Sequence, residues 1–417
     1  MGLWVDRFPS GIPIFVRTDS PGQEEVRMKT KFVVQGTGML LAISLIAGCW
    51  DKREINQLNL LSAAAIDSGV NKKYAITFLW FNPSAPSGGK GAQSPVSSLS
   101  YTVEGDTLKE AERELSKISP RIPVFFHLEA LVIGNDQAKK GIREIIDRFA
   151  RDIQLRRSKY LLVAANDGDD ILQASTPFEM PGTDIRGIIE RSNQSSEYSL
   201  INFNDFMTYY SDPDILSFLP MVHAIPSKGI KGSRGKQATD TLKVEGMAIF
   251  DKGRMIAKID GEETRAWLYT QGNIEKGTIV QWIGTENETA VFQTLAQSRK
   301  LVFDLTDSPI QVKIHIRTTG VIAEASDTSI LMQPKQLQKV EEQLEGAIQK
   351  QIEQLIGKSQ REKMDILLLG REIRSYHPDK WKELKSTWSN VYASAKFHVT
   401  VHVDIKSTGM LRKNISK

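Results

Sequence analysis

The chain has 417 residues, of which 40 % are hydrophobic and 25 % charged, a composition typical of folded proteins and not of disordered or polytopic membrane proteins. This length predicts two or three domains. Lys and Arg number 54 and Asp and Glu 50, an excess too small to indicate nucleic-acid binding. The single cysteine, Cys49, excludes an intramolecular disulfide and a cysteine-based zinc site.

The first distinct pattern is an apolar run from Phe32 to Gly48, which follows the basic residues Lys29 and Lys31. Its length of about 17 residues is short for a membrane-spanning helix but suits the apolar region of a signal peptide. The run ends in Leu45-Ile46-Ala47-Gly48-Cys49, the bacterial lipobox pattern, in which small residues precede a cysteine that receives a diacylglycerol. The sequence therefore predicts a lipoprotein signal peptide over 28–48 and a lipid on the cysteine that follows it.

Two other interpretations of Cys49 remain open at this point. The cysteine can be a small buried residue at the end of an apolar core helix, or the run before it can be an uncleaved membrane anchor. Residues 1–27 carry mixed charge and prolines, which no signal peptide has at its start. We therefore expect that the true start is Met28 and that residues 1–27 are a mis-assigned extension.

Beyond the cysteine, short apolar strands alternate with amphipathic helices. Strands are predicted over Leu58–Ile66 and Tyr74–Phe81, and the Pro, Gly and Ser residues of 82–98 predict a loop. A helix is predicted over Thr107–Ile118, with Thr107 and Glu110 as a capping box.

The next segments continue the alternation. They are a strand at Val124–Ile133, a helix at Gln137–Ala150, a strand at Tyr160–Ala165 and an extended run at Ile215–Ile225. This order predicts an α+β architecture, in which helices cover mixed sheets.

Residues 226–243 are polar, basic and contain glycine, which predicts a long hairpin loop or an interdomain linker. We take them to separate an N-terminal α+β region, 49–225, from a C-terminal α+β domain, 244–417. The loop has the composition of a phosphate-binding loop but the wrong spacing. Its cations are candidates for contact with an acidic partner or an anionic lipid surface: Lys228, Lys231, Arg234 and Lys236.

The C-terminal domain repeats the alternation of strands and helices. Predicted strands are Val244–Asp251, Met255–Asp260, Ile279–Trp282, Ala290–Phe292, Leu301–Asp304, Ile310–Ile316 and an alternating strand from Phe397 to Ile405. Predicted helices are Glu262–Leu268, Pro334 to about Ile356, and Arg361–Tyr376.

The sequence predicts no catalytic, cofactor or metal site. His398 and His402 lie on one predicted strand about 13 Å apart, too far for one ion to bridge, and are expected on its solvated face. His127 and Glu129 share a predicted strand face but have no third ligand nearby. No nucleophile elbow, zinc-binding helix or dinucleotide fingerprint is present.

Several short motifs together resemble the Ger(x)C family, the C subunits of spore germinant receptors. The first is Cys49-Trp50-Asp51-Lys52-Arg53-Glu54-Ile55, directly after the signal. The N-terminal region follows with Arg121-Ile122-Pro123, His127, Gly141-Ile142 and Asp147–Asp152. The centre has Glu245–Phe250 and Gly261–Arg265, and the C-terminal part has Asp365, Leu369-Gly370, Pro378, Trp381 and Trp388.

The resemblance implies a lipoprotein at the outer face of the inner spore membrane, needed for nutrient-triggered germination. It implies integral-membrane partners, the A- and B-type receptor subunits, and no catalytic activity. It also implies three α+β domains, which would place a further division near residues 190–205. Trp381 and Trp388 are expected in the core.

The sequence leaves two alternative functions open. One is a solute-binding lipoprotein that delivers a small ligand to a membrane transporter, which usually has two doubly wound lobes of similar size. The other is a lipid-anchored hydrolase, which the absence of nucleophile and metal motifs disfavours. The receptor subunit explains the ordered motifs best.

Overall fold

The computed structural model describes residues 57–81, 98–151, 159–174, 181–191, 196–199, 201–226, 240–272, 278–282, 289–325 and 334–407. The chain divides into two units, Met1–Gln57 and Leu58–Lys417. The second unit has an α+β architecture with two mixed sheets, as the sequence predicts. Cys49, the signal segment 28–48 and loop residues 227–239 lie outside the described residues.

The first sheet contains nine of the described strands. In chain order they are β1 (Leu58–Ser68), β2 (Tyr74–Phe81), β3 (Ser98–Gly105), β4 (Ile122–Val124), β5 (Ala130–Ile133), β6 (Tyr160–Ala164), β7 (Ser217–Pro226), β8 (Asp240–Asp251) and β9 (Arg254–Ile259). Their order in space is β3-β2-β1-β5-β6-β7-β8-β9, with β4 also beside β1. The pairs from β1 through β5 and β6 to β7 are parallel, and the outer pairs are antiparallel.

Strand β1 lies inside this sheet, between β2 and β5, and its sequence suits that position. Ala63, Ala64 and Ala65 are almost fully buried, so that both faces of the strand are covered. A continuous run of small apolar residues suits such a position, because helices can approach both faces closely. Helices cover the sheet: α1 (Leu108–Ile118), α2 (Asn135–Lys140), α3 (Arg143–Arg151), α4 (Gly168–Gln173), α5 (Pro181–Arg191) and α6 (Phe203–Tyr210).

A buried carboxylate closes the end of β1. Asp67 accepts hydrogen bonds from the backbone N–H groups of Gly168 (2.7 Å) and Asp169 (3.0 Å), at the start of α4. Burial raises the pKa of Asp67 to about 6, although the two N–H groups oppose this shift.

The predicted cap of α1 is present. The backbone N–H of Glu110 donates to Thr107 Oγ1 at 3.1 Å, and the Glu110 carboxylate accepts from the N–H of Asp106. The Glu110 carboxylate therefore bonds the N–H of Asp106, the residue before the N-cap, and not the N–H of Thr107 as a capping box requires.

The prediction of one strand over Val124–Ile133 is wrong. The segment is divided into β4 and β5, which pair with successive parts of β1. Between them the N–H of Leu128 donates to the carbonyl of Phe125, which forms a turn. The turn buries Leu128 and places Phe125 edge-on to Phe78, so these apolar residues pack instead of extending a strand.

The prediction of one helix over Gln137–Ala150 is also wrong. Helix α2 ends at Lys140 and α3 begins at Arg143, because Gly141 has a φ of 131°. Only glycine adopts this conformation readily. The break directs the N–H of Ile142 to the carbonyl of Gly253, at 2.8 Å, and so joins α3 to the β8–β9 turn.

The second sheet has the order β10-β11-β12-β13. Its strands are β10 (Thr278–Trp282), β11 (Thr289–Asp304), β12 (Gln311–Ala325) and β13 (Lys396–Ser407). Strand β11 joins two segments that the sequence analysis predicted as separate strands, Ala290–Phe292 and Leu301–Asp304. It pairs with β12 over its length through two register shifts, and β12 pairs with β13 in parallel.

One face of this sheet packs against α8 (Pro334–Arg361), which begins at the predicted proline. The alternation predicted for β13 is confirmed, with Val399, Val401, Val403 and Ile405 buried. Two glutamates of α8 also cap the free edge of β13: Glu345 accepts from the N–H of Val403 and Glu341 from the N–H of Ile405, each at 2.9 Å. No helix in the described part of the chain is both long and apolar enough to cross a membrane.

The remaining helices are α7 (Gly261–Gln271), α9 (Leu369–Tyr376), α10 (Pro378–Leu384) and α11 (Trp388–Ser394), with a short 3₁₀ turn at Lys385–Thr387. Helix α7 confirms the prediction for Glu262–Leu268. The predicted helix Arg361–Tyr376 is wrong, because Lys363 and Leu368 have φ values of 54° and 60°, in the left-handed region. These positions end α8 and start α9 in a new direction.

The predicted linker connects two paired strands. Strand β7 ends at Pro226, β8 begins at Asp240, and the two pair antiparallel from Ser217↔Phe250 to Pro226↔Asp240. The strands on both sides therefore belong to one sheet. The division into regions 49–225 and 244–417, the split near 190–205 and the count of three domains remain predictions.

Candidate functional site

The central motifs meet where β8 passes the start of α7. Gly246 has a φ of 80°, and its N–H donates to the carbonyl of Glu197 at 2.8 Å. A Cβ at this position would lie 2.6 Å from the carbonyl oxygen of Ile259. Glycine is therefore required by both the backbone conformation and the close approach of β9.

Helix α7 begins with a complete capping box. Asp260 accepts from the N–H of Glu263 (2.9 Å), and the Glu263 carboxylate accepts from the N–H of Asp260 (3.1 Å). The same carboxylate binds Lys358 Nζ of α8 at 2.7 Å. Arg265 binds Glu197 at 3.1 Å, with only 11 % of the arginine side chain exposed. The charged residues of this motif thus fix α7 to its neighbours.

The far end of α7 is attached to the segment after α8. Trp267 Nε1 donates to the carbonyl of Ile366 (2.7 Å), and Gln271 Nε2 donates to that of Leu367 (3.1 Å). On the other side, Arg299 of β11 donates to the carbonyl of Thr270 and pairs with a glutamate of α9. Helix α7 also packs against β8, so it joins the two sheets.

The C-terminal motif forms a second cluster around Asp365. This buried carboxylate accepts from the N–H groups of Leu369 (2.9 Å) and Gly370 (2.7 Å) and from Trp388 Nε1 (2.9 Å). Burial raises the pKa of Asp365, and the three donors act in the opposite direction. The ring of Trp381 lies edge-on to that of Trp388, with centroids 5.4 Å apart. Both tryptophans are buried, as expected.

Gly370 lets these rings approach the backbone. A Cβ there would lie 2.8 Å from the Trp381 ring and 3.0 Å from Trp388 Nε1. Asp365, Gly370 and the two tryptophans therefore form one packed unit at the start of α9. The four apolar side chains of Ile366–Leu369, which connect Asp365 to Gly370, are all buried.

Two adjoining clefts, of about 500 and 610 Å³, lie beside this cluster. They meet at Pro213, Ile215 and Lys252, and the first reaches Trp381 and Trp388. Ion pairs cross their walls: Lys385 binds Asp214 at 2.7 Å, and Arg374 binds Asp212. Arg374 lowers the pKa of Asp212, so this carboxylate is held in the ionised form.

These arrangements hold elements in place and do not assemble reacting groups. The Asp365 carboxylate is occupied by three structural donors, and Asp212 and Asp214 of the clefts are paired with cations. Among the described residues, no group of three or more His, Cys, Asp or Glu side chains is placed to bind a metal ion.

The histidines considered in the sequence analysis lie apart. His398 and His402 are exposed on one face of β13, as predicted, and His402 Nδ1 contacts Glu345 at 3.0 Å. His127 and Glu129 do not share a strand face, because the turn before β5 separates them. His127 packs beside Phe126, and Glu129 pairs with Lys159 at 3.2 Å.

The other predicted site residues lie outside the described part of the chain: Cys49, Lys228, Lys231, Arg234 and Lys236. Two residues at the motif contacts were missed by the sequence analysis. Glu197 and Lys358 bind Arg265 and Glu263, which lie 68 and 95 residues away along the chain. No local sequence pattern identifies partners at such distances along the chain. Only the opposite sign of their charges is consistent with the pairing.

Comparison with known proteins agrees with this architecture. The family model "Spore germination protein N-terminal domain" matches residues 51–224, and "Spore germination B3/GerAC like, C-terminal" matches 245–409. Spore germination protein KC of Bacillus subtilis (strain 168) is 26 % identical over 391 residues, 90 % of this chain and 94 % of that protein. Spore germination protein B3 of the same strain is 23 % identical, covering 90 % and 97 % of the two chains.

A solved structure shares the fold. The crystal structure of the GerBC protein matches with a TM-score of 0.53 and 19 % identity, over 82 % of this chain and 96 % of that one. An α+β protein with two mixed sheets is thus the class that the fold defines. The chain belongs to the GerAC/GerBC family of spore germination proteins, the non-catalytic C-type subunits of germinant receptors.

Proposed function

We propose that this C-type subunit is held by a diacylglycerol on Cys49 at the outer face of the inner spore membrane. The observation that carries the proposal is the position of the lipobox. Leu45–Cys49 ends two residues before the family match begins at residue 51, so lipidation would leave the whole matched chain on the membrane surface. A diacylglycerol is physically sufficient for stable attachment, whereas a single acyl chain binds only marginally.

There the subunit docks with integral-membrane A- and B-type subunits, and nutrient-triggered germination needs the assembly. Membership of the C-subunit family supports association in a receptor complex. The fixed packing of the motif residues supports docking of a preformed surface. The basic loop cations Lys228, Lys231, Arg234 and Lys236 are a candidate contact in this assembly, with an acidic partner or anionic lipid.

The proposal extends to the layout of the chain. Translation starts at Met28, residues 28–48 are removed as a signal peptide, and regions 49–225 and 244–417 form the mature protein on either side of the basic loop. The end of one family match at residue 224 and the start of the next at 245 support this division.

The test is to replace Cys49 by Ala in the intact chain and to follow both location and function. We expect the protein to leave the membrane fraction and nutrient-triggered germination to fall, because the thiol that accepts the lipid is gone. Ser44→Ala, which leaves the cysteine in place, is the matched control. Mass spectrometry of the N-terminal peptide of the parent should show the lipid on Cys49 and no peptide from 1–27.

Two readouts separate anchoring from docking. Unchanged membrane retention of Cys49→Ala would contradict the lipid anchor. Affinity purification of the parent in detergent should recover integral-membrane A- and B-type subunits, and their absence under cross-linking would contradict docking even if the anchor is real.

A further inference from the structure

The second sheet has an uncovered face with an unusual concentration of positive charge. Strand β12 alternates buried Val312, Ile314 and Ile316 with side chains on the opposite face. On that opposite face lie Lys313, His315 and Arg317, all exposed.

The neighbouring strands extend this face on both sides. By register, Lys300 of β11 lies beside His315, and His398 and His402 of β13 lie beside Lys313 and Arg317. Lys396 is next to His398 along β13 and is exposed. With about 4.8 Å between strands and about 6.6 Å between same-face positions, the charges cover roughly 10 by 20 Å.

The fold does not use these cations. None of Lys300, Lys313, Arg317 and Lys396 forms an ion pair with a described residue, whereas most of the interior charges named above are paired. Three carboxylates lie at the face, and one of them, Glu345 of α8, contacts His402 Nδ1 at 3.0 Å. Asp404 is paired with Lys406, and Asp304 accepts both hydrogen bonds of Thr306. Four unpaired cations and three imidazoles on one face favour an anionic occupant.

The shape of the face narrows the choice of occupant. The charges are spread over three strands, and Lys300 and Lys313 also border clefts beside β11. Addition of a partner strand at the β13 edge is disfavoured near its end, because Glu345 and Glu341 already accept from the N–H groups of Val403 and Ile405. A two-dimensional array of cations fits a two-dimensional array of phosphates best.

We propose that this face, defined by Lys300, Lys313, Arg317 and Lys396 and flanked by His315, His398 and His402, docks on anionic phospholipid headgroups. The inference rests on the proposed membrane location and adds an orientation to it: the open face of the second sheet lies against the bilayer. Each Lys or Arg near such a surface adds to the attraction, so four cations together give a measurable affinity without any lipid anchor.

The test uses the full chain carrying Cys49→Ala, so that lipidation plays no part. Sedimentation with vesicles of phosphatidylcholine containing 30 mol % phosphatidylglycerol is compared with pure phosphatidylcholine vesicles. We expect preferential binding to the anionic vesicles, lost on raising the salt from about 0.1 to 0.5 M because the charges are exposed and screened. Any contribution from residues 28–48 is common to all variants.

Four substitutions remove the charges: Lys300→Gln, Lys313→Gln, Arg317→Gln and Lys396→Gln. We expect the partition coefficient on anionic vesicles to fall at least tenfold. The control changes four exposed lysines elsewhere that have no ion pair with a described residue, by Lys140→Gln, Lys335→Gln, Lys339→Gln and Lys350→Gln. Both variants lose the same net charge, and the control should lose less than threefold. Circular dichroism confirms that each is folded.

Equal losses in the two variants would overturn the proposal, because net charge and not this face would then govern binding. Absence of a preference for anionic vesicles would overturn it too. Stronger capture by immobilised polyglutamate than by vesicles, lost in the same variant, would assign the face to an acidic protein partner. None of these results bears on lipidation, which mass spectrometry of the peptide that carries Cys49 tests separately.

Discussion

Two buried aspartates are held in the same way, each with its carboxylate at the start of a helix. Asp67 caps α4 through the N–H groups of Gly168 and Asp169, and Asp365 caps α9 through those of Leu369 and Gly370. Helix N-termini favour negative charge, whereas burial opposes it. In both residues burial has the larger effect, because both pKa values are raised. The sequence offered no sign of Asp67, because a single aspartate after an apolar strand reads as a turn residue.

The raised pKa of Asp67 predicts a pH-dependent stability. Between about pH 4 and 6 the folded chain binds a proton at Asp67 that the unfolded chain has released, so the free energy of unfolding falls as pH rises through this range. Two pKa units correspond to about 3 kcal/mol. Asp67→Asn removes this dependence, so the stability of the variant relative to the parent should improve by about 2–3 kcal/mol from pH 4 to pH 7.

Urea unfolding at pH 4, 5, 6 and 7 measures this difference. The matched control is Asp307→Asn, which changes an exposed aspartate. The plot of its free energy of unfolding against pH should stay parallel to that of the parent. A parallel curve for Asp67→Asn as well would show that the carboxylate ionises as it does in water.

At the scale of elements, sequence periodicity succeeded where one face of a segment is buried. The alternation in β13 and the apolar stripe of α8 were predicted correctly, because solvent covers one side of each. Prediction failed where backbone conformation breaks a continuous apolar pattern. Gly141 divides one predicted helix, and Lys363 and Leu368, which are not turn-forming residue types, separate another. The spacing of apolar residues along the sequence does not indicate which residues adopt a positive φ.

The candidate site was predictable only in part, because its residues contact partners that are distant in sequence. The motif resemblance marked Gly246, Glu263, Arg265 and Asp365, but their contacts come from far along the chain. The positively charged face of the second sheet could not be predicted from the sequence either. Lys313-Ile314-His315-Ile316-Arg317 alternates clearly, yet only the register of three strands shows that its charges join those of β11 and β13.

The conformation of Gly246 gives a sharp test at this scale. Gly246→Ala places a Cβ 2.6 Å from the Ile259 carbonyl oxygen in a residue with positive φ, and should lower the free energy of unfolding by about 2–3 kcal/mol. Gly346→Ala in α8 is the control, because no atom lies within 4 Å of its added Cβ. That change should stabilise the protein by about 0.5–1 kcal/mol. Thermal denaturation measures the stability of both variants. Equal changes in the free energy of unfolding would contradict the close approach of the Ile259 carbonyl oxygen to residue 246.

For the whole molecule, α7 is the central connection. Its residues from Ala266 to Thr270 are buried between β8 of the first sheet and the second sheet with α8. The first family match contributes to the same core, because Phe218 of β7 packs on Trp267 with ring centroids 4.7 Å apart and β7 pairs with β8. We expect the described unit to unfold cooperatively and not as two independent parts.

Trp267→Phe tests this coupling. The change keeps an aromatic ring but leaves the Ile366 carbonyl without its donor, at a cost of about 1–3 kcal/mol. Amide hydrogen exchange should then accelerate by similar factors in Asp240–Asp251 and Gln311–Ala325, one strand from each sheet. Tyr376→Phe, at an exposed position, should change neither. Faster exchange in one strand alone would show that the sheets unfold separately.

The pairing of β7 with β8 has a consequence for how such receptors diversify. A recombination event at the boundary between the two matched regions cuts between strands hydrogen-bonded from Ser217↔Phe250 to Pro226↔Asp240. Each half of a chimaera must therefore present a complementary strand to a half from another lineage. Side chains on β7 and β8 are buried together, so such exchanges carry a packing penalty. The two halves of each subunit are consequently expected to be inherited together.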